Sequence, residues 1–149
     1  MGKKRIAEKT KEELQAEREQ LDKVMKTDAK GKSKGIREGR VYISCSYNNT
    51  LLTLADGQGN VLGWASSGNI GFKGSKKATP FAASKVADVI SQKAQKIGIE
   101  KISIFIKGIG GGRDSSIRSL AARGFDIISI KDVTPIPHNG CRPPKARRV

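Results

Sequence analysis

From Val41 to Cys45 apolar residues fall on alternate positions, Val41, Ile43 and Cys45, the period of a half-buried strand. Asn48-Asn49 breaks this alternation, Leu51 to Ala55 resumes it, and DGQGN over 56–60 is a turn signal before a third run from Val61 to Ala65. Three runs joined this closely predict an antiparallel meander. The period changes after Thr79, where Ala82, Val86, Val89, Ile90 and Ile97 recur at helical spacing. Thr79 is placed to cap that helix, Pro80 to open it and Gly98 to close it, with Lys85, Gln92, Lys93 and Lys96 expected to point outward. KISIFIKG (101–108) predicts a strand with Ile102, Ile104 and Ile106 on one face. A shorter helix is expected around Ser116 to Arg123, and FDIISIKDVTP then predicts a last strand that stops at Pro135. Strand, helix and strand with a short crossover imply a parallel pair. The expected fold class is therefore α/β: a single domain with a five-stranded mixed sheet and two main helices.

The two ends of the chain do not fit this pattern. Residues 1–35 are rich in helix formers and alternating charge, with few apolar positions besides Ile6, Leu14, Leu21, Val24 and Met25. They read as a flexible or frayed helical extension, although the heptad spacing of Leu14 and Leu21 leaves a short coiled coil open. Residues 136–149 hold three of the chain's prolines and no acid, so they read as an extended basic tail. The α/β domain is expected over 36–135.

Charge changes the picture more than composition does. Twenty-nine Lys and Arg against fourteen Asp and Glu give +15. Residues 1–30 take nine of those cations and seven of the anions, so twenty cations and only seven anions follow. The domain and tail hold nearly all the surplus, which calls for a polyanionic partner. No apolar run approaches a membrane span. Two distant cysteines, Cys45 and Cys141, and one histidine, His138, do not supply a structural zinc site. The thiols are expected to be reduced and the chain cytoplasmic, with no cofactor, metal or small-molecule substrate.

Several stretches are candidates for contact with nucleic acid. GIGGGRD lies between a strand and a helix, where Gly110, Gly111 and Gly112 would let a phosphate approach the backbone and Arg113 would add charge. The motif lacks the GK[ST] ending of a nucleotide-binding loop, so a plain tight turn stays open beside phosphate contact. Arg118 and Arg123 follow on the same helix. In GFKGSKK, glycines Gly71 and Gly74 alternate with Lys73, Lys76 and Lys77, a loop suited to an irregular phosphate path. Phe72 within it, and Trp64 in the third strand, are expected to pack rather than to stack on bases. Asn48 and Asn49 can read base or ribose edges or can simply form a turn. Catalysis finds little support. A metal-dependent nuclease on a ribonuclease H-like sheet needs clustered carboxylates, and Val41 to Tyr47 contains none. A nonspecific nucleic-acid coat is the third reading.

NNT, GNVLGWASSGNIGFKGSKKATPFAA, IKGIGGGRD and DVTPIPHNGCRPPKARRV, in unbroken order over about residues 40–149, resemble the bacterial small-subunit ribosomal protein eleven family. The resemblance implies a ribonuclease H-like topology used for binding, with no catalytic residues. It implies a structural place on the platform of the small ribosomal subunit, bridging helices of the small-subunit ribosomal RNA and helping to form the messenger RNA (Shine-Dalgarno) cleft. Ribosomal proteins seven and eighteen are the implied neighbours, and initiation factor three is allowed as a further partner. Carried over by motif, the RNA-binding residues are Asn48 and Asn49, the loop from Gly71 to Lys77, and Gly110 to Arg113. The tail adds His138, Asn139, Arg142, Lys145, Arg147 and Arg148. GIGGGRD departs from the family's usual GPGSGRE, and nothing is carried over to residues 1–35.

Overall fold

The computed structural model describes residues 36–145; the readings of residues 1–35 and of Arg147 and Arg148 lie outside them. In chain order the elements are β1 (Glu38–Cys45), β2 (Thr50–Asp56), β3 (Val61–Ser66), a short 3-10 helix (Gly74–Ala78), α1 (Pro80–Ile97), β4 (Lys101–Gly108), α2 (Gly112–Ala122) and β5 (Asp126–Asp132). The strands form one mixed sheet in the order β3-β2-β1-β4-β5. β1 is central, antiparallel to β2 and parallel to β4, and β4 is parallel to β5. The α/β class, the five-stranded sheet and the two main helices are as expected.

Alternation decides which face is covered. Val41, Ile43 and Cys45 of β1 share a face with Leu52 and Leu54 of β2 and with Ile102, Ile104 and Ile106 of β4, and all are buried. Val86, Ala87, Val89, Ile90 and Ala94 of α1 and Leu120 of α2 pack onto that face in one core. α1 starts where expected. The Thr79 side chain accepts from the amide of Ala82 at 3.2 Å, and Gly98 closes the helix in the left-handed conformation. The DGQGN turn is tied by Asp56, whose carboxylate accepts from the amides of Gln58 and Asn60 and from Asn60 Nδ2. These bonds, led by the Asn60 side chain, lower the Asp56 pKa.

Four expectations are corrected. Lys93 does not point outward: it is only 6% exposed. Gly63 of β3 lacks a side chain where the Lys93 stem passes (a Cβ there would lie 3.4 Å from Lys93 Cδ), and Nζ donates to Trp64 O at 3.1 Å. Trp64 is not packed but 48% exposed, because Gly63 and Ala65 take the inward positions of β3. α2 begins at Gly112 rather than near Ser116; the Ser115 and Ser116 hydroxyls donate to Gly112 O at 3.2 and 2.7 Å and support its first turn. β5 stops at Asp132, short of Pro135, because the Asp132 carboxylate accepts from both the amide (2.9 Å) and the hydroxyl (2.6 Å) of Thr134 and turns the chain. Phe72 does pack against the core, edge-on to Phe81 with centroids 6.0 Å apart.

Candidate nucleic-acid interface

Parallel pairing of β1 with β4 sets their carboxyl ends side by side, with the amino end of α2 next to them. Ligands of open α/β sheets bind at such an end. The 46–49 turn closes through the Ser46 amide and hydroxyl, which donate to Asn49 O at 2.9 and 3.2 Å. Asn48 is exposed, while Asn49 Oδ1 is buried and meets no partner among the described residues. The 108–112 loop lies against this turn. Gly108 has φ +90°, and a Cβ there would run into the Cys45 carbonyl; a Cβ on Gly110 would stand 2.8 Å from Ser46 O. Gly112 is equally enclosed, with Thr50 Oγ1 and Ala83 Cβ 2.5 and 2.9 Å from where its Cβ would be. These glycines allow the closeness of the two loops.

The third candidate loop reaches the same end. Gly71 and Gly74 adopt positive φ, and the short 3-10 helix after Lys73 had no counterpart in the sequence expectations. The Thr79 hydroxyl donates to Lys76 O at 2.8 Å, so one residue both ends the 3-10 helix and starts α1. Lys73 and Lys76 are exposed and Lys77 is half-buried. A Cβ on Gly111 would come within 3.8 Å of Ala78 O and 3.7 Å of Pro80 Cγ, so the GIGGG loop also borders this segment. Three loops widely spaced in sequence thus converge, with two helix amino ends among them. Backbone amides and partial positive charge there suit phosphate.

The arginines divide by role. Arg118 is exposed on α2. Arg123 instead bonds Asp88 Oδ1 of α1 through Nε (2.9 Å) and a terminal nitrogen (2.8 Å), joining the two helices. Arg113 is turned inward: its guanidinium donates to Gly108 O and to the Asp132 carboxylate, and reaches Thr134 Oγ1 at 3.4 Å. Asp132 is accordingly held down to about 2, first by the Thr134 hydroxyl and amide and then by Arg113. Thr134 also accepts from the Gly108 amide at 3.1 Å. Neither Asp132 nor Thr134 was singled out from sequence, although both sit in the DVTP motif. Together with Arg113 they clamp the root of the tail beside the glycine loop, and this junction lines a shallow pocket with Ile109 and Ile136. Beyond it His138, Asn139, Arg142 and Lys145 are exposed, and Asn139 adopts φ 53°.

Among the described residues of this region, no side chains are grouped for acid–base or nucleophilic chemistry. Burial pushes the Cys45 thiol above its ordinary value, outweighing the opposite influence of Thr50 and Arg113, and a raised pKa makes a thiol inert. No group of three or more metal-ligating side chains occurs among the described residues, and none of the described helices is long and apolar enough to cross a membrane.

Comparison with known proteins agrees with this assembly of motifs. The family model described as ribosomal protein S11 matches residues 39–148. The chain is 53% identical over 123 residues to the small ribosomal subunit protein uS11 of Treponema pallidum subsp. pallidum, covering 83% of this chain and 98% of the relative. The same figures hold for the uS11 of Treponema pallidum strain Nichols. The matched region takes in the three converging loops and the described part of the tail, and the chain belongs to the ribosomal protein S11 family.

Proposed function

We propose that this chain bridges helices of the small-subunit ribosomal RNA on the platform of the subunit and contributes to the cleft where messenger RNA pairs with the ribosomal RNA. Membership of the family makes it a structural constituent of the small ribosomal subunit, acting in translation and not as an enzyme. The observation that carries the finer reading is the convergence of the 46–49, 71–79 and 108–112 loops at the end of the sheet from which the tail departs. Asn48, Asn49, Gly71, Lys73, Gly74, Lys76, Lys77, Gly110, Gly111, Gly112 and Arg118 form the body of this RNA surface. His138, Asn139, Arg142, Lys145, Arg147 and Arg148 form its arm. Arg113 and Arg123 serve it from behind, the first by aiming the arm and the second by joining the helices.

The prolines of the tail keep it extended, which lowers the entropy lost when RNA orders it. Ribosomal proteins seven and eighteen are the protein neighbours we propose, with initiation factor three as a transient one; exposed Ile109 and Ile136 beside the tail root offer apolar contact. The division into an extension (1–35), a domain (36–135) and a tail (136–149) belongs to the same reading.

Salt dependence tests the arm. Each phosphate neutralised contributes roughly 0.7 to 0.9 to the slope of log affinity against log salt. Deleting residues 138–149 should weaken binding to small-subunit ribosomal RNA and flatten that slope by up to about 3. An unchanged slope would show that the tail does not lie on phosphate.

A further inference from the structure

Both helices cover one face of the sheet, and the residue register lays out the other. Across five strands, Trp64, Thr53, Tyr42, Phe105 and Lys131 stand in one row. Tyr42 and Phe105 are stacked, with centroids 5.1 Å apart and planes 20° from parallel. Tyr42 is 36% exposed and Trp64 48%. In the rows on either side, Arg40 lies beside Ser103 and Ser129, and Lys107 beside Ser44, Leu51 and Ser66. No acid stands in these three rows. The acids of this face, Glu38 and Asp126, share one further row with Lys101, at the end away from the converging loops.

We propose that this open face is a second RNA surface, on which unpaired bases stack against Trp64 and the Tyr42–Phe105 pair while Arg40, Lys107 and Lys131 hold the flanking phosphates. The charge selects the occupant. A protein partner would have to bring its own acids for Lys107 and Lys131, whose rows and adjoining rows contain none, whereas phosphate supplies that charge directly. The exposed rings of Trp64 and Tyr42, the latter backed by the half-buried Phe105 and bordered by cations, are what splayed bases need. The face also runs directly into the proposed loop surface, since Lys107 immediately precedes Gly108. The period-two alternation of β1 and β4 already points Tyr42 and Phe105 to the same side.

The inference rests on the ribosomal RNA reading, and the test separates the two. Small subunits assembled without this chain are titrated with the full chain, with Trp64→Leu, with Tyr42→Leu/Phe105→Leu, and with the 138–149 deletion, over a range of salt. Loss of a stacking ring should weaken binding by roughly fivefold to a hundredfold at every salt concentration, with the slope unchanged. Trp64→Phe, which keeps a ring, should retain most of the affinity, and unaltered thermal melting separates loss of contact from loss of fold. If the ring variants bind as the parent does while the tail deletion still lowers affinity and slope, the open face is not an RNA surface and the loop-and-tail reading stands. If the ring variants keep their RNA affinity but shed another ribosomal protein from the particle, the face belongs to that protein and the proposal is overturned.

Discussion

Asp132 shows how much one side chain can decide at the residue scale. Its carboxylate ends β5, bonds both polar groups of Thr134 and receives Arg113, so the direction in which the tail leaves the sheet is set by one acid. With the folded pKa near 2 against an ordinary 3.8, the clamp is fully formed above about pH 4 and is lost as pH falls through 2. Asp132→Asn should remove that acid-sensitive step and speed amide exchange at Thr134 already at neutral pH. Both are readable by exchange measurements from pH 2 to 7, and an unaltered exchange profile would dismiss the clamp. Arg113→Lys is expected to act like the loss of Asp132, since an ammonium cannot span Gly108 O, Thr134 and the carboxylate as a planar fork does.

Gly112 and Thr79 decide the starts of the two helices. A methyl group at Gly112 would be driven into Thr50 and Ala83, which sit on β2 and α1 and cannot both yield. Gly112→Ala should therefore destabilise the fold by about 1–3 kcal/mol, measurable by denaturant unfolding; a neutral outcome would mean that α2 is free to shift. Thr79→Ala removes an N-cap worth about 1 kcal/mol and also frees Lys76 O, loosening the lysine loop. Most of this level was legible in the sequence. Alternating runs located the first four strands, FDIISIKDVTP the fifth with its end placed too late, and the Thr-Pro start and Gly98 stop bounded α1. Less legible were features that depend on a neighbour distant in the chain. Lys93 is inward because Gly63, thirty residues earlier, leaves room for its stem. Trp64 is a different case, outward because its chain neighbours Gly63 and Ala65 take the inward positions, and residues so small do not mark that face in the sequence. Arg113 reads as a phosphate ligand until Asp132, nineteen residues later, is found beside it.

At the scale of the whole molecule, one end of a small sheet gathers what the sequence scatters over some sixty residues between Asn48 and Arg113. The candidate loops could be chosen from glycines and lysines, but their convergence follows from β1 and β4 being parallel neighbours, which no single motif encodes. The tail joins them because the clamp is built from β5 and the glycine loop together. On the proposed function, part of the positive surplus of the domain and tail has a physical use: Lys73, Lys76, Lys77 and Arg118 border the converging loops and Arg40, Lys107 and Lys131 the open face, where phosphate would satisfy both.

Ultraviolet crosslinking in cells, with sequencing of the bound RNA and mapping of the crosslinked peptides, tests the central claim most directly. The account predicts crosslinks confined to a few helices of the small-subunit ribosomal RNA, through the 71–77 loop and the tail. Crosslinks spread over many transcripts, or absent from both the loop and the tail, would contradict it.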